Sequence, residues 1–253
     1  MIVRATAVLV LAAALSAGCG GAKKNDLSGK PPDAATRARL AQSYLGANRV
    51  PEALAELEEA IKLEPSNAVL RSFHGQVLLI AGRYPEAEAA LKRALELDPH
   101  MTDAHNNLGV VYDRMGRKAD AEAEFKRTLS DPVYPTPEKV HFNLGRLYVS
   151  QGRDEEALKH FRTAVEIDPR YYGAHFELAS LLDRTGKLQE AVREYEVALP
   201  DYRSDGKYHY QLGFAYFRMG NTDKAAEHLR RAIDVSPGSE AAAKADELLR
   251  TLP

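Results

Sequence analysis

The chain has 253 residues, with 34 Lys and Arg against 36 Asp and Glu and a formal net charge of −2. That balance leaves no basic excess to neutralise phosphates, so nucleic acid is not an expected partner. A content of 45% hydrophobic and 28% charged residues is enough to fill a core and excludes wholesale disorder, and a single cysteine excludes a disulfide framework.

Residues 1–18 carry one basic residue, Arg4, and then an apolar run from Ala5 to Leu15. The run is too short to span a bilayer, which takes a helix of roughly 20 residues, and it reads as an export signal. It ends in Leu15-Ser16-Ala17-Gly18-Cys19, which resembles a bacterial lipobox. The large aliphatic residue stands four places before the cysteine rather than three, where Ser16 sits. The resemblance implies lipidation at Cys19 with several acyl chains, an anchor stronger than the marginal grip of one chain. Gly20, where Asp would signal retention in the inner membrane, implies the outer membrane with the protein facing the periplasm. Residues 19–33 (CGGAKKNDLSGKPPD) have no helical periodicity and are expected to be a lipid-anchored tether.

From Ala34 the chain repeats itself every 34 residues, in frames 34–67, 68–101, 102–135, 138–171, 172–205 and 206–239. One column is alanine throughout: Ala53, Ala87, Ala121, Ala157, Ala191 and Ala225. Four residues on stand Leu57, Leu91, Phe125, Phe161, Tyr195 and Leu229. Earlier in each frame a small residue recurs as Ala41, Gly75, Gly109, Gly145, Ala179 and Gly213. Small residues at those places let two antiparallel helices approach closely, and the large residue fills the space beside them. Asn48, Gly82, Gly116, Gly152, Gly186 and Gly220 share the position between the helices, where a left-handed C-cap ends the first helix. Pro65, Pro99, Pro169 and Pro237 are expected to end the second. This pattern is that of the tetratricopeptide repeat, so the expected fold is all-α: a superhelical solenoid of six helix-turn-helix repeats.

Two features break the frame. Asp131-Pro132-Val133-Tyr134-Pro135-Thr136-Pro137 adds two residues, either as a surface insertion or as a kink that divides the solenoid into halves. Pro200 comes early and predicts a shortened second helix in the fifth repeat. Residues 240–253 form an amphipathic capping helix, which closes the exposed apolar end of a solenoid.

Chemistry is sparse. There is no HExxH, GxSxG or phosphate-binding glycine loop, so neither catalysis nor a cofactor is expected. His105, His141, His175 and His209 fill the position where the repeat pattern has Trp. Equivalent helices of adjacent repeats lie about 8–10 Å apart, too far for the nitrogens to share one zinc ion at about 2.1 Å. These imidazoles are therefore expected to pack beside the inter-helix seam and not to bind metal. A partner is expected on the side lined by first helices. Phe142, Phe176 and Tyr210 recur there one per repeat, Phe214 and Phe217 extend the row, and Val69, Leu79 and Ile80 stand on the same side earlier. An apolar stripe of that extent is expected to mark a protein interface; the alternative is that some of these rings only pack between adjacent helices.

A lipobox, a tether, six repeats and a closing helix together resemble the secretin pilotins of type IV pili, the pilus biogenesis or stability lipoproteins. The resemblance implies a monomeric scaffold at the outer membrane, anchored through Cys19, that binds secretin subunits and promotes their assembly for pilus biogenesis and twitching motility. A lipoprotein adaptor for cell-wall hydrolases or a periplasmic protease has the same build and a different client.

Overall fold

The computed structural model describes residues 31–252, so the leader and Cys19 lie outside the described residues. Six helix pairs follow one another: α1 (Ala34–Gly46) with α2 (Val50–Leu63), α3 (Ala68–Ile80) with α4 (Tyr84–Leu97), and α5 (Thr102–Arg114) with α6 (Lys118–Leu129). Then come α7 (Pro137–Ser150) with α8 (Asp154–Ile167), α9 (Tyr172–Arg184) with α10 (Leu188–Tyr202), α11 (Gly206–Arg218) with α12 (Thr222–Val235), and a single α13 (Glu240–Leu249). Helices are the only regular elements among the described residues, so the chain is an all-α solenoid.

The turn inside each pair is made the same way. Asn48, Gly82, Gly116, Gly152, Gly186 and Gly220 all have positive φ, from 58° at Asn48 to 82° at Gly186. The next backbone N–H then reaches back over the helix end, as Arg83 to the Leu78 carbonyl at 2.9 Å and Arg153 to the Tyr148 carbonyl at 2.9 Å. That closes carbonyls which the helix end would otherwise leave open. Asn48 is the one non-glycine at positive φ among the described residues, and Asn enters that region more easily than other side chains. Asn48→Ala is expected to cost about 1 kcal/mol, because alanine keeps the Cβ but lacks the short polar side chain whose local hydrogen bonding eases Asn into this region, while Asn48→Gly is tolerated. A urea midpoint unchanged by Asn48→Ala would show that the turn can relax.

Glycine sets how closely the helices of a pair approach. A Cβ built on Gly145 would meet the Phe161 ring at 2.5 Å, one on Gly109 the Phe125 ring at 2.7 Å, and one on Gly75 the Leu91 side chain at 2.6 Å. The large residues of that column are buried to 1% exposure or less, as are all six alanines four residues before them. An apolar core runs without a break from Ala41 to Ala191. It passes through Phe125, Tyr134, Val140 and Leu144, so the proline-rich insertion does not interrupt it. Tyr134 is buried, and its hydroxyl donates to Asp103 Oδ1 on α5 at 3.0 Å, which pins the insertion back onto the third repeat.

Pro200 does not shorten its helix: α10 has 15 residues and carries Pro200 inside it. The φ that the pyrrolidine ring fixes is compatible with a last helical turn. That turn is also held from outside, because the Tyr202 ring stacks on Phe176 at 4.9 Å and on Tyr208 at 5.3 Å. The shortest second helix is instead α6, with 12 residues, just before the insertion. At the far end α13 is capped by the Ser239 side chain on the Ala242 N–H. It lays Ala245, Leu248 and Leu249 against Leu229 and Ala232 of α12.

Candidate interaction face

Successive first helices meet side by side, α3 with α5 and α5 with α7, so their outward residues share one face. Asn143 Nδ2 on α7 donates to Asn106 Oδ1 on α5 at 3.4 Å, which spans two repeats on that side. The residues expected there fall into three groups. Val69 and Ile80 of α3 stand free, 58% and 44% exposed, while Leu79 is half-buried against the core.

Phe142 and Phe176 are half-buried, and each leans on neighbouring rings. The Phe142 ring packs between Phe161 at 5.9 Å and Tyr171 at 5.0 Å. Phe176 sits among Tyr195, Tyr202 and Tyr208, with centroids 4.9 to 5.9 Å away. Both rings link a repeat to the start of the next through tyrosines at the repeat junctions, Tyr171 and Tyr202. Along α11, Tyr210, Phe214 and Phe217 stack in sequence at 6.1 and 6.4 Å, all half-buried. Tyr210 also touches the cluster made with α13.

Between these groups lies a polar set that the apolar pattern does not reveal. Lys139, Asn143 and Arg146 lie along one side of α7, Glu177 lies on α9, and Lys207 and Gln211 lie on α11. Burial pushes the Glu177 carboxyl above its ordinary value, against the pull of Arg146 and Lys207. Burial likewise pushes the Lys139 ammonium down, against Glu138, Asp103 and Asp168. The signal in the sequence is a frame position that stays polar in three successive repeats: Asn143, Glu177 and Gln211.

The histidine column is paired within repeats, each member with the residue nineteen places on. His105 Nδ1 meets Glu124 Oε2 at 2.6 Å and His175 Nδ1 meets Glu194 Oε2 at 2.6 Å. In the intervening repeats the partner is another imidazole: His141 Nδ1 meets His160 Nδ1 at 2.9 Å and His209 Nδ1 meets His228 Nδ1 at 3.1 Å. Arg37 makes the equivalent pair with Glu56 at 2.7 Å in the first repeat. His209 Nε2 donates to the Arg203 carbonyl at 3.1 Å, which makes its Nδ1 the acceptor of the His228 Nδ1–H. Among the described residues no three His, Cys, Asp or Glu side chains are grouped to hold a metal ion, and no helix is long and apolar enough to cross a membrane.

Helix pairs in phase and a left-handed turn inside each define a tetratricopeptide-repeat solenoid, a class that binds protein partners. Family models for the tetratricopeptide repeat match residues 38–101, 78–132, 145–186 and 206–239. The chain is similar over 83% of its length to PilW, described as a widely conserved type IV pilus biogenesis factor, with 97% of that chain covered, 23% identity and a TM-score of 0.76. It is also similar to pilF of Pseudomonas aeruginosa, over 85% of this chain and 97% of that one, at 19% identity and a TM-score of 0.77. A third solved structure is YrrB, described as a TPR protein with an unusual peptide-binding site, at 25% identity, 76% of this chain, 97% of that one and a TM-score of 0.60. No curated protein matches the sequence. At these identities the two pilus proteins establish the shared fold.

Proposed function

We propose that the protein is an envelope scaffold for type IV pilus biogenesis: an outer-membrane lipoprotein, anchored through Cys19, that holds secretin subunits and promotes their assembly. The observation that carries this reading is one of extent. The similarity takes in 97% of each of the two pilus proteins, and so leaves almost nothing of either chain without a counterpart here. The lipobox-like leader supplies the anchor in the same reading. No bond has to be made or broken. Holding client and membrane on one scaffold raises the effective concentration of subunits at the surface where the ring forms.

Deleting the gene is expected to abolish detergent-resistant secretin multimers and twitching motility. Intact multimers with altered cell shape or septation would overturn the pilus reading and favour the hydrolase adaptor. Cys19→Ala is expected to leave an uncleaved or mislocalised precursor. Normal fractionation of that variant with the outer membrane would remove the anchor.

A further inference from the structure

Six repeats meet at five junctions, and on the side of the second helices polar side chains bridge four of them. In the third and fourth repeats a tyrosine of the first helix lies under the arginine of the turn that follows, Tyr112 under Arg117 and Tyr148 under Arg153, each at 4.1 Å. The same arginines reach back to the preceding second helix, Arg117 to Glu88 at 2.8 Å and Arg153 to Glu122 at 2.9 Å, and the Tyr148 hydroxyl donates to Glu122 at 3.0 Å. In the sixth repeat Tyr216 lies under Lys224 at 4.9 Å, and both side chains donate to Glu196 of α10. The fifth repeat has Leu182 in place of the tyrosine, and there Arg162 crosses the junction to Glu190 at 2.7 Å.

The first junction has no such bridge. Leu78 stands at the frame position of Tyr112, Tyr148 and Tyr216, and Leu54 at that of Glu88 and Glu122, while Arg83 keeps the turn position of Arg117 and Arg153. A cavity of about 470 Å³ opens at this place, lined by Val50, Pro51, Leu54 and Glu58 of α2 and by Ala81 and Arg83 after α3. Three of the four glutamates of α2 are paired, Glu52 with Arg49, Glu56 with Arg37 and Glu59 with Lys62, at 2.6 to 2.8 Å. Glu58 makes no ion pair or side-chain hydrogen bond among the described residues, and it holds the frame position of Glu196, which takes the Tyr216 hydroxyl. Arg83 pairs with Glu86. Arg117 and Arg153 pair in the same way with Asp120 and Glu156 while lying over their tyrosines, so that pairing leaves the flat face of the guanidinium available.

We infer that the crevice between the first two repeats accepts a tyrosine side chain of a partner protein, in the place that the chain's own tyrosines fill at later junctions. The ring rests on Val50, Pro51 and Leu54 with the Arg83 guanidinium over its face, an attraction between a cation and the negative face of an aromatic ring. The hydroxyl donates to the Glu58 carboxylate, which is a stronger acceptor than a neutral oxygen. An aliphatic side chain gains nothing from Arg83, and a phenylalanine gains nothing from Glu58. One aromatic anchor in a pocket is the usual way in which an interface concentrates its energy. The crevice is built from a second helix and a turn, apart from the first-helix face, so it adds a contact beyond the scaffold reading and does not depend on which client that face holds.

The test uses the full chain in detergent with N-acetyl-tyrosinamide as the probe, followed by saturation-transfer NMR. Binding at about millimolar strength is expected for a ligand of that size. N-acetyl-phenylalaninamide is expected to bind about threefold more weakly, and Glu58→Ala to remove that difference. Arg83→Ala is expected to weaken binding of both amides about threefold. Arg117→Ala, at a junction already filled by Tyr112, is expected to leave binding unchanged. Leu78→Tyr supplies the ring from within and is expected to abolish binding while the helical melt is kept. If that variant does not fold, Arg83→Ala and Glu58→Ala decide the matter.

The source of the ring is read in cells, with a photoreactive benzophenone side chain in place of Glu59 on the exposed side of α2. It is expected to trap tyrosine-containing peptides of another protein, and to trap fewer when Leu78→Tyr is added. Trapped peptides from a second copy of this chain, or peptides without tyrosine, overturn the assignment to a partner. No saturation of the probe by the native chain, equal binding of the two amides, unchanged binding in Leu78→Tyr, or equal harm from Arg117→Ala overturns the site itself. Secretin multimers are read in neither assay, so their loss or survival bears on the pilus reading alone.

Discussion

Phe161→Ala is expected to cost about 3 to 5 kcal/mol, the usual range for emptying a filled aromatic site. The ring is fully buried, lies against the Gly145 backbone where a Cβ would come within 2.5 Å, and supports Phe142 at 5.9 Å. One wall of that slot is helix backbone, which cannot move in to fill it. The cavity therefore collapses little, and the loss stays near the upper part of the range. At roughly 2–4 °C per kcal/mol for a domain of this size, the melting temperature falls by about 10 °C. Because each repeat of a solenoid is coupled only to its neighbours, damage to the fourth repeat is also expected to broaden or split the transition. A companion pair isolates the cause. Gly145→Ala drives Cβ into the phenyl ring and is expected to cost about 1 to 3 kcal/mol. Gly213→Ala meets Leu229 only at 3.0 Å and recovers about 1 kcal/mol of helix propensity, so it is expected to be nearly neutral. Equal losses at the two glycines would show that ring packing against glycine does not set the helix spacing.

The repeat was legible because its determinants are local to one helix pair. Alanine, glycine and asparagine each answer one steric demand, and that demand recurs in every frame. The fate of Phe142 and Phe176 was not legible in the same way. Tyr171 and Tyr202, which cover them, sit at repeat junctions where the pattern prescribes nothing, and only the path of the chain brings them over the rings. Pro200 misleads for a related reason. As a residue it signals termination, but stacking by Tyr202 outweighs the one backbone bond that it removes. Along the histidine column the spacing between repeats excludes a shared ligand set but is silent on partners within a repeat. Their true partners stand nineteen residues on, across the antiparallel pair, at Glu124, His160, Glu194 and His228. The polar set has no periodicity of charge to announce it, since Lys139 and Lys207 share a frame position with Gly173 between them, and Arg146 and Glu177 come from two others.

Acidification from pH 7 to pH 5 is expected to destabilise the fold, and the two histidine pairs are the cause. Burial holds His141, His160, His209 and His228 below the ordinary imidazole value, with His160 down to about 4. His141 and Lys159 add to the effect at His160, and so does Lys126, against the opposing field of Glu122. Around the second pair Arg231 opposes protonation of His209, while Asp205, Glu227 and the Arg203 carbonyl favour it. Lys224 opposes protonation of His228, while Glu227 and Glu196 favour it. His74, also depressed by burial, acts in the same direction. A group whose folded value lies below its unfolded one binds more protons when unfolded, so stability rises with pH. The contribution is complete above the unfolded value of about 6.5 and is lost progressively below it, down to about 4 for His160. Carboxylates held low by Arg or Lys partners, such as Glu52 and Glu86, lose their contribution at lower pH, while Glu177 and Asp183, pushed up by burial, act with the opposite sign and offset part of the imidazole loss. Because the rings are only partly buried and the sites are screened, the summed effect is about 1 to 2 kcal/mol. His160→Glu gives the fourth repeat the partner that the third and fifth already have, and is expected to shrink the fall in urea midpoint between pH 7 and pH 5. The same fall in the variant as in the native chain would place the acid sensitivity elsewhere.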